Sequence, residues 1–167
     1  SSKDISNKIK ILRAKSIITM TFHSFLLQHV LAFSKIFKGK EVSFDFSKKV
    51  NSFQEWLQVV KEENIIPVAS NSYNDYLFKC AILLIKRKPY ILKYLKTKFV
   101  AVYIDEAQDN NMLQYEIVDI LLSVGIQVVM IGDPEQTIYQ FRGANADTFN
   151  ELKNHESFKN SIYILTN

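Results

Sequence analysis

Apolar residues recur along this chain in two rhythms, and the alternation between them is the first guide to its fold. Phe22, Phe25, Leu26, Val30 and Phe33 fall at helical spacing, and so do Phe53, Trp56, Leu57 and Val60 behind the sequence Ser52-Phe-Gln-Glu55, which has the form of a capping box. Met112 to Ser123 repeats the pattern with Leu113, Ile117, Ile120 and Leu121 inward and Gly125 placed to cap its end. Val100 to Ile104 and Gln127 to Ile131 are instead short continuous apolar runs, rich in β-branched residues, as expected of strands buried on both faces in a parallel sheet. Ile17 to Thr21 reads as a further short buried strand and Ser161 to Leu165 as a last one. Basic residues 4–14, a segment opened by Ser72 and Asp75 and running to about Lys86, one begun by Pro89 and running to about Lys96, and Ala146 to Leu152 read as further helices. Asn64 to Asn71, with Pro67, reads as a loop, and residues 40–50 match neither rhythm. Strands alternating with helices predict an α/β fold with a parallel sheet, interrupted by a helical insertion between its strands.

Composition narrows the class. The 167 residues suffice for one domain with a real core, and 47% hydrophobic and 23% charged residues are ordinary for a globular chain. No apolar run approaches the roughly 20 residues that span a bilayer, and no secretory pattern opens the chain. The single cysteine, Cys80, cannot form an internal disulfide, which fits a reducing, cytoplasmic setting; it lies in an apolar helical pattern and reads as core. Net charge is +4, unevenly spread: residues 1–40 carry eight Lys/Arg and one acid, residues 86–98 carry six Lys/Arg and no acid, and residues 105–119 carry five acids and no Lys/Arg. A polyanion-binding surface beside an acidic metal site would produce these counts, and so would solvated helix faces.

The chemistry concentrates at residues 99–109, Phe-Val-Ala-Val-Tyr-Ile-Asp-Glu-Ala-Gln-Asp. A parallel strand delivers Asp105 and Glu106 to the carboxyl edge of its sheet, where open α/β folds bind ligands. One carboxylate can hold Mg²⁺ and the other can orient or deprotonate a water. Acids that merely begin a helix at its positive end would look the same.

Three segments together carry a resemblance. Thr-Phe-His-Ser-Phe at 21–25, Tyr-Ile-Asp-Glu-Ala-Gln-Asp at 103–109 and Met-Ile-Gly-Asp-Pro-Glu-Gln-Thr-Ile-Tyr-Gln-Phe-Arg-Gly-Ala at 130–144 resemble, in order, motifs of the UvrD/Rep family of superfamily 1 helicases. The resemblance covers essentially the whole chain, with residues 40–98 matching loosely. It implies a partial RecA-like sheet of the P-loop NTPase class formed by residues 1–39 and 99–167, with 40–98 as the helical insertion. It implies that Asp105 is the Mg²⁺-associated carboxylate, that Glu106, also beside the Mg²⁺, is the catalytic base, that Gln136 senses the γ-phosphate of ATP, and that Arg142 links the ATP and DNA sites. Thr21, His23 and Ser24 would lie along single-stranded DNA, and Tyr139 and Phe141 would stack on its bases; many members carry Trp where Phe141 stands. His29, on the apolar face of its helix, reads as a core histidine.

The same resemblance exposes departures. The phosphate-cradling Gly-x-x-x-x-Gly-Lys-Thr/Ser loop is matched by none of the glycines at 39, 125, 132 and 143. The opening Ser2 to Ile9 resembles the segment after that loop, and the closing Tyr163 to Asn167 the lead-in to the family's fourth motif. The expectation is therefore a piece of an ATP-dependent 3′→5′ DNA helicase, inactive alone, that works with the rest of its chain, with repair or recombination partners and with no membrane. A non-catalytic helicase-like DNA-binding or scaffold module is the alternative.

Overall fold

A computed structural model describes residues 17–68 and 75–133 together with Glu135 and Phe158. The expected helices at 4–14 and 146–152, the strand at 161–165, Ser72, and the expected site residues Gln136, Tyr139, Phe141 and Arg142 lie outside the described residues.

The described chain runs α1 (Phe22–His29), a 3-10 turn (Leu31–Phe33), β1 (Ser43–Asp45), α2 (Phe53–Glu63), β2 (Ile65–Pro67), α3 (Tyr76–Arg87), α4 (Tyr90–Lys98), β3 (Ala101–Ile104), a 3-10 turn (Ala107–Asp109), α5 (Met112–Ser123) and β4 (Gln127–Met130). Both strand pairs are parallel: β1 lies beside β2 with Ser43 opposite Ile65, and β3 beside β4 with Ala101 opposite Gln127. The α/β class and the parallel pairing of the two long apolar runs are as the sequence predicts.

Local chemistry sets the element ends. Ser52 Oγ accepts from the Glu55 amide at 3.1 Å, while the Glu55 carboxylate reaches the amide of Asn51 at 2.7 Å, one residue before the cap. Asn111 caps α5 with the reciprocal bond from Gln114 in place. Gly125, at φ +78, ends α5: its amide reaches the Leu122 carbonyl and that of Ile126 the Leu121 carbonyl, a pairing that needs a left-handed residue. Asp75 precedes α3 without capping it.

One buried cluster runs through every layer, from Leu26, Val30 and Leu31 through Trp56, Val60 and Ile66 to Phe78, Ile82 and Ile85, and on to Ile91, Leu95, Ile117, Leu121 and Val128. The helix α3 packs against both α1 and α5, so the expected insertion shares its apolar interior with the β3–β4 layer. His29 is buried as expected, its Nδ1 3.0 Å from the Tyr94 hydroxyl. Cys80 is partly buried, and burial pushes its thiol up to about 11, which suits a packing role and not a nucleophile.

Three expectations are corrected. Ile17 to Thr21 is not a strand: Ile17 and Ile18 are both exposed, no described strand lies beside them, and the extended backbone of Thr21 serves as the cap of α1. Asn64 to Asn71 is not wholly loop, nor is 40–98 wholly helical, because Ser43–Asp45 and Ile65–Pro67 pair. Each strand is three residues long, too short to show a period, and Pro67 is tolerated because bonding to β1 alternates along β2: the Val68 amide donates to the Asp45 carbonyl, and the nitrogen of Pro67 falls on the side away from β1. The β3 strand is not buried on both faces: Ile104 turns into the core while Tyr103 is 69% exposed, so one side of the strand faces inward and the other keeps its phenol in water. No described helix is long and apolar enough to cross a membrane.

Candidate functional site

The carboxyl edge of the β3–β4 pair is built from backbone bonds. The Ile131 amide donates to the Ile104 carbonyl at 2.8 Å, and the Ala107 amide donates to the Ile131 carbonyl at 2.8 Å. The segments leaving the two strands are thereby sewn together immediately beyond the ladder. The Tyr115 hydroxyl, projecting from α5, donates to the Ala107 carbonyl at 2.8 Å, and burial together with the charge of Asp109 raises its pKa well above the usual phenol value. Sequence reasoning passed over Tyr115, whose signal is only an aromatic among aliphatics on the inward face of α5.

Asp105 and Glu106 leave this platform into solvent. Glu106 has φ 52 and ψ 42, the left-handed region that a glutamate adopts only when its surroundings impose it. It precedes the 3-10 turn but makes no side-chain cap. Capping of the following α5 falls to Asn111 instead. The plainer account of the acidic pair, that it begins a helix, is thus not how these side chains are used. The Glu106 carboxylate instead accepts from Gln108 Nε2 at 2.8 Å, and Gln108 Oε1 accepts from the Asp133 amide at 3.1 Å. Gln108 is 1% exposed and was not among the expected site residues. The signal available was a glutamine two residues beyond the glutamate, in a segment otherwise spent on acids and a turn.

Among the described residues no group of three or more His, Cys, Asp or Glu could enclose a metal ion. Two adjacent exposed carboxylates are, however, the donor set that Mg²⁺ uses when phosphates and water complete its shell, so the pair fits a nucleotide-bound ion and not a dedicated protein cage.

The second expected cluster sits at the start of α1. Thr21 Oγ1 accepts from the Ser24 amide at 3.2 Å and donates to Ser24 Oγ at 3.0 Å, so both hydroxyls close the helix end. The ring of His23 meets Phe44 and Phe78 edge-on, and its Nε2 lies 3.2 Å from the carboxylate of Asp75. That contact explains why Asp75 does not cap α3: its carboxylate is turned to His23. Phe44 lies on β1, so the insertion reaches the side chains expected along DNA.

Comparison with known proteins adds the following. The family model described as the UvrD/REP helicase N-terminal domain matches residues 2–157. The chain is 29% identical over 123 residues to the Gabija protein GajB of Bacillus cereus, covering 73% of this chain and 25% of that protein. It is 33% identical over 93 residues to the ATP-dependent DNA helicase PcrA of Staphylococcus aureus, covering 56% of this chain and 13% of that one. It is 43% identical over 65 residues to the RecBCD enzyme subunit RecB of Borreliella burgdorferi, covering 38% and 6%. The chain therefore spans a quarter or less of the length of each of these relatives.

Proposed function

This chain belongs to the UvrD/REP helicase family, and on that premise we propose that it is part of the first RecA-like domain of an ATP-dependent DNA helicase that moves 3′→5′ along single-stranded DNA. Its parallel strands and interleaved helices are a partial RecA-like α/β fold. The observation that carries the proposal is the pair Asp105 and Glu106, exposed at the carboxyl edge of a parallel pair, free of any capping role, with Glu106 held in a left-handed backbone and gripped by a buried amide.

In this reading Asp105 would hold Mg²⁺, which when bound would supply charge neutralisation of the nucleotide phosphates. Glu106 accepts the proton of the attacking water, and its fixed position beside the sheet edge aims the lone pair. Gln136 follows the Asp133 segment by three residues and contacts the γ-phosphate; an amide can donate to phosphate oxygen and accept from water at once. Arg142 carries the nucleotide state to the DNA face. Thr21, His23 and Ser24, with Tyr139 and Phe141, form that face. Residues 1–39 and 99–167 make the ATPase core and 40–98 the insertion. The setting is cytoplasmic, and the partners are single-stranded DNA, the rest of the helicase chain and repair or recombination factors.

The test is phosphate release by the full-length protein with and without single-stranded DNA. DNA-stimulated turnover that disappears in Asp105→Ala and Glu106→Gln is the expected result. Tight binding of DNA and nucleotide with no turnover in the unmodified protein would return the chain to the scaffold class.

A further inference from the structure

Gln108 occupies an unusual place for an amide. Its side chain is almost wholly buried, yet neither of its polar atoms serves the core. One bonds to the Glu106 carboxylate in the segment leaving β3, and the other to the Asp133 backbone in the segment leaving β4. The orientation of the amide is dictated by its partners: Asp133 presents an N–H, which needs an acceptor, and Glu106 presents a carboxylate, which needs a donor. Reversing the amide would set N–H against N–H and oxygen against oxygen. Among uncharged side chains of this length only glutamine supplies one donor and one acceptor at opposite corners of a rigid plane.

The consequence is a mechanical link. Glu106 is a long, exposed side chain that would otherwise sample several rotamers. Its hold on Gln108 restricts it, and Gln108 is in turn located by the Asp133 amide. The Asp133 carboxylate accepts from the Glu135 amide at 3.0 Å, so the anchor point is part of a turned segment and not a loose end.

We infer that Gln108 is a positioning residue, which fixes the Glu106 carboxylate and ties its aim to the seating of the segment that follows β4. The inference rests on the reading of Glu106 as general base. It assigns Gln108 no contact with nucleotide or water. Through it, any displacement of the post-β4 segment, which leads toward the expected DNA-stacking residues, is felt at Glu106.

Two variants of the full-length protein separate the arms. Gln108→Glu keeps an acceptor for the Asp133 amide and replaces the donor facing Glu106 with a second carboxylate; Gln108→Ala removes both arms. Loss of a group that orients a reacting side chain typically lowers activity by roughly 10–100-fold. That drop is expected in kcat for both variants, with KM for ATP changed by less than about threefold, since ground-state binding is untouched. Amide hydrogen exchange of the nucleotide-free protein gives a readout independent of activity: protection of Asp133 should persist in Gln108→Glu and fall in Gln108→Ala. On a Glu106→Gln background Gln108→Glu should cost no further turnover. Unchanged kcat per folded molecule with a lowered melting temperature would make Gln108 a purely structural residue, and a full additional loss on the Glu106→Gln background would show that it acts elsewhere. Wild-type turnover in Glu106→Gln alone would remove the general base itself, and the inference with it.

Discussion

In each of the two parallel strand pairs the first strand leads at its carboxyl end into an aspartate, and the two aspartates have opposite fates. Asp45 closes β1, and its Oδ1 accepts from the Ser47 amide at 2.7 Å, the Ser47 hydroxyl at 2.6 Å and the Lys48 amide at 3.0 Å. The Ser47 hydroxyl and those amides hold the Asp45 carboxyl below the usual carboxylate range. Asp105 follows β3, is exposed, and makes no hydrogen bond to the described residues. A strand running into an acid therefore carries no meaning by itself. The difference lies in the next few residues: Ser47 and Lys48 offer Asp45 a hydroxyl and two amides in a tight turn, whereas after Asp105 the chain turns through a left-handed Glu106 and the amides of Ala107 and Asp109 are taken by backbone carbonyls. One carboxylate is spent on its own loop, and the other is left exposed, as the proposed role beside Mg²⁺ requires.

The largest expected effect falls on the exposed side. In the full-length protein Glu106→Gln preserves shape and still offers an oxygen to Gln108, but removes the proposed general base, a change worth about 10²–10⁴-fold in turnover. Nucleotide binding and melting temperature should stay close to wild type, because the side chain is exposed. Single-turnover hydrolysis with a parallel fluorescent-nucleotide titration measures both. Turnover near wild type would erase the distinction between the two edges.

The next effect falls on the other pair and has the opposite character. The β1–β2 pair is held by an aromatic group around Trp56, which is fully buried, lies 6.0 to 6.4 Å between ring centroids from Phe37, Phe53 and Tyr76, and donates from Nε1 to the Pro67 carbonyl at 3.0 Å. Trp56→Ala should cost about 3–5 kcal/mol of stability by cavity formation, with the unpaired Pro67 carbonyl adding to it. Denaturant unfolding checks the magnitude. A loss below about 1 kcal/mol would mean that the insertion contributes little to the common core.

The contrast also explains what could be read from the sequence. Met112–Ser123 was legible because it is long enough to show its period and Gly125 ends it, and the strands on either side because each is an unbroken apolar run rich in β-branched residues. The exposed pair Asp105 and Glu106 was legible because apolar run and acids are contiguous. The β1–β2 pair was not, since three residues cannot display alternation and a proline argues against a strand unless its nitrogen falls on the side away from the partner strand. Tyr103 misled in the other direction: a β-branched, aromatic run is compatible with burial on both faces, and only the three-dimensional placement reveals that the phenol faces out. Gln108 escaped because nothing in a linear sequence shows that Asp133, 25 positions away, will present its amide to the same side chain.

A smaller effect tests the spent carboxylate. Asp45→Ala removes the acceptor of three local bonds in an exposed turn and should cost on the order of 1 kcal/mol. It should leave hydrolysis by the full-length protein unchanged, where Asp105→Ala abolishes it. Equal losses of turnover from both variants would mean that the β1 edge also faces ligand.

The smallest effect concerns the interior that the two pairs share. His29 is buried among Phe25, Tyr94 and Phe99, and its Nε2 has no hydrogen-bond partner among the described residues. Burial, then the nearby charge of Lys98, lowers its pKa from the ordinary value of 6.5. The unfolded chain therefore binds a proton at His29 that the folded chain resists. Its contribution to stability is complete above pH 6.5 and is lost as pH falls from there through the lower folded value. Stability measured by denaturant titration should decline over that interval before the carboxylates begin to titrate. His29→Gln keeps a partner for the Tyr94 hydroxyl and removes the ionisation, so the decline should flatten in the variant. An identical slope in both proteins would move the pH sensitivity from the shared core to its surface.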